Sequence, residues 1–387
     1  MDLDADQLVA AACETTGLDD FGGDEWREGL DRLVHALVTE AELNELGPLV
    51  AGSQIDSALT NRLRIIDWHT RHPEVAEAPV VAPVVILGQP RTGTTILFDL
   101  LAQDPGFRAP LTWEVSDPVP PPQTATYDTD PRIEVSEAAS GMTEAIIPGF
   151  AAIHPSGARR AQECVAITVG DFRSLQWSTV FRVPTYTRWL LHEADLTSTY
   201  RYHRRFLQVL QSEHPGERWL LKTPGHQWHL GELFATYPDA TIIHTHRDPL
   251  KVLASVSSLM SVLHRLGTDE PSIPRIAEEW IDYLVVGNER SMVARDDGSV
   301  PAGKAIDLTF VDLMADTFGA IGGLYDRMGR ELTAETEAAM RSFLADNPSD
   351  KHGTHTYSFA DTGLDVAASR ARMAAYDAFF GVPLEIT

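Results

Sequence analysis

The amino-acid sequence predicts an α/β fold: a central parallel sheet flanked by helices, preceded by an N-terminal helical extension. Three observations carry this. From Pro79 onward, short β-branched apolar runs alternate with amphipathic segments, the signature of strands joined by crossover helices. The first three runs end in loops rich in Gly, Pro or charged residues, at 88–95, 222–226 and 247–249. Before residue 79 only helical periodicity is found.

In the extension, residues 1–78, the stretch DEWREGLDRLVHALVTEAEL sets Trp26, Leu30, Leu33, Val34, Leu37 and Val38 at three- and four-residue spacings, one face of an amphipathic helix. The α/β domain follows over 79–387. Its first strand is read at Val84–Leu87, closing at Gly88, with a helix over Thr95–Gln103. Further strands are read at Trp219–Leu221, Thr241–Thr245 and Ala305–Leu308, the last two followed by the helical stretches LKVLASVSSLMSVL and MADTFGAIGGLYDRMG. Residues 116–131, rich in Pro, Thr and Asp, read as an exposed loop. The region from about 110 to 215 is predicted to be helical and aromatic. In a parallel sheet ligands bind beyond the carboxyl ends of the strands, where loops 88–95, 222–226 and 247–249 all fall.

Bulk composition narrows the function. With 387 residues, 43% of them hydrophobic, the chain can bury a large core. Its 56 acidic against 31 basic residues give a formal charge of −25, which opposes non-specific attraction to nucleic acid or anionic lipid. Any anion site must therefore be built locally. Two distant cysteines, Cys13 and Cys164, suit a reducing compartment. The acidic N-terminus has no signal-peptide pattern, and no apolar run is long enough for a transmembrane segment. A cytoplasmic protein is expected.

The stretch ILGQPRTGTT, Ile86–Thr95, has the outline of a phosphate-binding loop. Glycines permit the tight turn, backbone N–H groups point inward, and the helix that follows adds its positive end. Arg91, Thr92, Gly93, Thr94 and Thr95 would line it. The P-loop of nucleoside-triphosphate enzymes has lysine where this chain has Thr94, and Asp307 alone is weak as a metal-holding carboxylate. Both features argue against triphosphate hydrolysis. A second constellation, HTHRDPLKVLASV, ends a strand at Arg247 and places Ser255 about two helical turns later. Asp248 suits a cap and Pro249 the first helical turn.

Taken together with the intervening WLLKTPGH, these motifs resemble the sulfotransferases that use 3′-phosphoadenosine 5′-phosphosulfate (PAPS), most closely a bacterial branch with P-R-[ST]-G-T-T and H-R-D-P motifs. The resemblance covers roughly residues 82–360. It implies a P-loop-type sheet, with Arg91, Thr92, Gly93, Thr94 and Thr95 on the 5′-phosphosulfate and Arg247 and Ser255 on the 3′-phosphate. Lys222 would stabilise the leaving phosphate. Glu114 is the preferred base for the acceptor hydroxyl, with His154 and Glu163 as rivals. Lys351, His352 and Gly353 stand where the family has a loop closing over the nucleotide, although the Arg-Lys-Gly form of the animal enzymes is missing. The products would be a sulfate ester and adenosine 3′,5′-bisphosphate.

The spacings of His226, His229, His244 and His246 do not match a zinc motif, so no metal is expected. Aromatic and aliphatic residues between Trp113 and Phe206 favour a lipid-like, phenolic or glycolipid hydroxyl over an anionic glycan. The alternatives are a P-loop nucleotide kinase or ATPase, and a non-catalytic protein that binds PAPS or adenosine 3′,5′-bisphosphate. The N-terminal helices could cover the core, form a homo-oligomer interface, or do both.

Overall fold

The structure, a computed structural model, describes residues 3–146 (side chains through 142), 157–348 and 356–386. Contacts divide the chain into two compact units. Residues 1–80, 110–215 and 260–271 form a helical unit; residues 81–109, 216–259 and 272–387 form a sheet unit.

The sheet unit contains four parallel strands, β1 (Val84–Gly88), β2 (Leu220–Lys222), β3 (Thr241–His246) and β4 (Ala305–Thr309), in the order β2-β1-β3-β4. Every residue of β1 and β2 is buried, which is why both read as near-continuous apolar runs rather than alternating ones. From β1 the chain goes first to β2 on one side, then crosses to β3 on the other. The strand order therefore reverses between β1 and β3, the position at which open α/β sheets form a crevice beyond their carboxyl ends.

Three strands differ in their bounds from the sequence expectation. β2 is shifted by one residue: Lys222 is its last member, in register with Ile86, while Trp219 forms an isolated bridge with Arg108. The Arg108 guanidinium lies 4.3 Å from the Trp219 ring centroid, and the Trp219 carbonyl accepts from the Val84 N–H of β1 at 2.9 Å. β3 and β4 each run one residue further, to His246 and Thr309. The loop expected over 116–131 carries a short 3₁₀ turn at Thr124–Thr129.

In the helical unit, helices Ala5–Thr16, Glu25–Thr39, Gly47–Arg71 and Thr197–Gln211 are the main elements described. Trp26, Leu30, Leu33, Val34 and Leu37 are buried as the periodicity requires, whereas Val38 is exposed. A buried carboxylate fixes the packing: Asp171 accepts from Arg62 Nη1 at 3.0 Å and from the Ser198 and Thr199 hydroxyls at 2.8 Å each. Arg62 also donates to the Phe21 and Gly170 carbonyls, so neither buried charge lacks partners, the condition under which a buried pair is tolerated. Among the described residues no helix is long and apolar enough to cross a membrane.

Candidate functional site

The loop after β1 turns on residues of positive φ. Gly88 has φ +140°, Arg91 +67° and Gly93 +87°. Left-handed residues at 91 and 93 around an ordinary Thr92 turn successive N–H groups inward, an arrangement that favours negative charge. Gly88 is obligatory for a second reason, since a Cβ there would meet the Thr245 carbonyl oxygen at 2.3 Å. A helix, Thr94–Leu101, starts directly at Gly93.

The loop's side chains divide the work. Thr92 is turned into the protein: its hydroxyl donates to the Gln89 carbonyl at 2.6 Å and shares a 2.6 Å hydrogen bond with the Thr245 hydroxyl. It braces the loop against β3, so the donor it has for a ligand is its backbone N–H. Thr95 is half-buried and accepts from Lys222 Nζ at 3.3 Å. Lys222 is itself buried and lies 5.6 Å from the Phe98 ring centroid, so β2 delivers an ammonium group to the start of the loop's helix.

The turn after β3 meets that loop directly. Arg247 Nη1 donates to the Arg91 carbonyl at 3.1 Å, and Arg91 Nε donates to the Ser255 hydroxyl at 3.1 Å. Arg91, Arg247 and Ser255 thus share one place at the carboxyl ends of β1 and β3. Arg247 also stacks on Phe310, 3.8 Å from its ring centroid. Burial lowers the pKa of Arg91, and the neighbouring charge of Arg247 pushes it the same way while Tyr357 opposes. Two guanidinium groups thus cluster at one place in a chain of charge −25.

Several supporting residues were not read from the sequence. Asn288 Oδ1 accepts from Gln89 Nε2 at 2.6 Å and from Gln227 Nε2 at 3.1 Å, tying the first loop to the turn after β2. Asp248 caps the helix Pro249–Leu263 through Leu250 N–H at 2.9 Å, as expected, but is also gripped by Arg370 at 2.7 and 2.9 Å. Burial pushes the Asp248 pKa up, and Arg370 with the N–H groups of Ile386, Glu385 and Leu250 more than reverses this, leaving it lowered. None of these partners is near in sequence, and only the helix cap carried a local signal.

The histidines do converge more than their spacing suggested. Ligand atoms of His244, His246 and Asp307 lie within 4.8 Å of one another. His246 and Asp307 belong to a hydrogen-bond chain: Tyr376 to His246 Nδ1 at 2.7 Å, His246 Nε2 to Asp307 at 3.1 Å, and Asp307 to Arg295 at 2.6 and 3.0 Å, while the two ring nitrogens of His244 are buried with no hydrogen-bond partner among the described residues. The Arg295 guanidinium holds the ground on Asp307 that a cation would need.

Glu114 and Glu163 belong to the helical unit. Glu114 is fully buried and accepts from the Leu111 N–H at 2.7 Å, which fixes its carboxylate over its own short helix, Thr112–Ser116. Glu163 is half-buried, beside Gln162, whose side-chain oxygen accepts the Glu163 N–H at 2.8 Å. His154 and Lys351, His352 and Gly353 lie outside the described residues. The helical unit also holds a cavity of about 300 Å³ lined by Trp177, Tyr202, Phe206, Ile167, Gln54 and Gln162 among others, with no charged residue in its wall.

Residues 83–334 match the Sulfotransferase family. The chain is similar to the solved sulfotransferase STF9 from Mycobacterium avium, at 33% identity across 100% of both chains with a TM-score of 0.90. It is also similar to sulfotransferase STF1 from Mycobacterium tuberculosis H37Rv, at 31% identity over 97% of this chain and 99% of that one, TM-score 0.85. A curated relative, the omega-hydroxy-beta-dihydromenaquinone-9 sulfotransferase Stf3 of Mycobacterium bovis, is 25% identical over 291 residues, 73% of this chain and 71% of that protein.

Proposed function

The chain belongs to the sulfotransferase family, and from that premise we propose that it moves the sulfuryl group of PAPS onto the hydroxyl of a lipid-like, uncharged acceptor. The kinase or ATPase alternative gives way to family membership. The observation that carries the donor assignment is the junction of Arg247 Nη1 with the Arg91 carbonyl at 3.1 Å. It brings a backbone cradle and a side-chain clamp together, one for each phosphate-bearing end of the nucleotide.

In this reading the inward N–H groups of the Arg91–Thr95 loop, with Arg91 and the Thr94 and Thr95 hydroxyls, hold the 5′-phosphosulfate. Arg247 and Ser255 hold the 3′-phosphate. The acceptor oxygen attacks sulfur in line; the new O–S bond forms as the bond from sulfur to the bridging oxygen breaks. Negative charge grows on that oxygen, and Lys222, poised at Thr95, meets it as a fixed cation. Such a pre-placed charge is worth more at the transition state than in the ground state. The hydroxyl proton would pass to a carboxylate or imidazole base, with Glu114 preferred from the sequence and His154 and Glu163 as its rivals.

The uncharged, partly aromatic cavity of the helical unit supports an uncharged acceptor, because an anionic glycan would lose its hydration there without a compensating cation. The relative Stf3 is named for an ω-hydroxylated menaquinone derivative, and a terminal hydroxyl on an apolar chain is the acceptor chemistry inferred here. The test is transfer of ³⁵S from labelled PAPS to a panel of long-chain alcohols, phenols and anionic glycans. A labelled ester on the uncharged apolar alcohols is expected. Label found on the glycans alone overturns the acceptor assignment, and failure to release adenosine 3′,5′-bisphosphate overturns the donor.

A further inference from the structure

Arg247, the residue assigned to the 3′-phosphate, already grips an anion from its own chain. Its Nε and Nη2 donate to the two carboxylate oxygens of Glu385 at 2.7 and 3.0 Å. The Arg247 side chain is 12% exposed and that of Glu385 25%, on a residue that itself lies at the surface. This two-point fork is the same contact a guanidinium makes with a phosphate.

The carboxylate is delivered by an anchored backbone. The Glu385 and Ile386 N–H groups donate to Asp248 Oδ2 at 2.6 and 2.8 Å, and the Ile386 carbonyl accepts from Arg370 Nη2 at 2.6 Å. Asp248 is the residue next to Arg247, so one short turn positions both the clamp and the segment that occupies it. Ser255, the other member of the clamp, is likewise engaged from within, by Arg91 Nε. Both groups assigned to the 3′-phosphate therefore have internal partners, and one of those partners is a carboxylate in phosphate-like geometry.

We propose that Glu385 is an internal stand-in for the 3′-phosphate, a carboxylate that holds the ligand-facing edge of Arg247 and must leave it before the nucleotide can bind there. This rests on the assignment of Arg247 to the 3′-phosphate. Only the clamp's open fraction can take nucleotide, and the apparent affinity falls in proportion to that fraction. A nucleotide without a 3′-phosphate does not compete for this edge and does not sense the latch. After transfer, return of the carboxylate to Arg247 helps expel adenosine 3′,5′-bisphosphate.

The test uses the full chain and calorimetric titration with adenosine 3′,5′-bisphosphate and, separately, adenosine 5′-phosphate. Glu385→Gln keeps the backbone anchor on Asp248 while removing the charge, and Glu385→Ala removes the fork. Each should bind the bisphosphate about tenfold more tightly than wild type, for a clamp about nine-tenths closed, with the monophosphate changed less than about twofold. The tightening should vanish in an Arg247→Ala background. Unchanged or weakened bisphosphate binding in both variants overturns the latch, as does tightening that persists without Arg247, which would make Glu385 a general repulsive charge. If wild type and variants alike fail to prefer the bisphosphate over the monophosphate, the Arg247 assignment itself falls, and the latch with it.

Discussion

The loop after β1 and the turn after β3 meet at Arg91 and Arg247 but are built by different means. The first makes its anion site from backbone: three positive φ angles, inward N–H groups and a helix start, with Thr92 spent on bracing. The second gathers side-chain charge: Arg247 is paired by the distant Glu385, and its neighbour Asp248 by the distant Arg370. A backbone cradle has little freedom to rearrange. A clamp of side chains can exchange one partner for another. Under the proposed function, the contrast would put fixed chemistry on the β1 side, where Lys222 stands, and exchangeable recognition on the β3 side.

Lys222→Ala gives the largest effect if this division holds. Turnover should fall by about 100-fold or more, the usual loss on removing a group aimed at transition-state charge, while the Kd for adenosine 3′,5′-bisphosphate moves by less than about threefold. Single-turnover rates at saturating PAPS, alongside titration, measure both. A variant with normal turnover removes Lys222 from the chemistry and breaks the comparison at its first term.

Arg247→Ala should do the reverse. Loss of charge-assisted hydrogen bonds worth about 1.5–3 kcal/mol weakens the bisphosphate by roughly 10- to 100-fold, leaving adenosine 5′-phosphate and the saturated turnover nearly unchanged. Equal losses for the two nucleotides would show that Arg247 does not distinguish the 3′ end. The Glu385 partner makes the direction informative, since the same substitution leaves that carboxylate without its fork.

How legible this was depends on what each feature is made of. The four strands were readable because β1 and β2 are buried throughout, so hydrophobicity alone marks them; the one-residue shift of β2 arose because Lys222, a charged strand end, carries no hydropathy signal. The β1 loop was readable because positive φ demands glycine at 88 and 93, and Arg247 with Ser255 because a helix fixes their spacing. Glu385 was not readable, standing 138 residues from Arg247, and neither was Asn288, 199 residues from Gln89. The Arg62–Asp171 pair in the helical unit was hidden for the same reason. Local geometry leaves a local mark; a partner chosen by the fold leaves none.

Asn288→Ala sharpens the comparison from the supporting side. It leaves the Gln89 and Gln227 amides short of the shared acceptor that links the first loop to the turn after β2. Unsatisfied buried polar groups cost about 1–3 kcal/mol, so the melting temperature should drop and KM for PAPS should rise by roughly three- to tenfold. Turnover at saturation should hold, because Lys222 is untouched. A fall in turnover with KM unchanged would mean that Asn288 acts on the reacting atoms rather than on the loop.

Asp248→Asn has the smallest expected effect and tests the β3 turn through pH. The folded-state pKa of Asp248 is lowered: burial raises it, but Arg370 and three backbone N–H groups outweigh burial. A depressed carboxylate contributes stability above its unfolded value and loses it as pH falls through that value toward the folded one. The wild type should therefore melt about 1–2 °C above the variant near neutrality, with the gap steady down to about pH 5 and closing as pH falls below about 4, the ordinary carboxylate range. Calorimetric melts across that range measure the gap. Should it widen in acid instead, the ionised Asp248 is not what joins Arg370 and the Glu385 segment to the turn, and the β3 clamp must be held by some other contact.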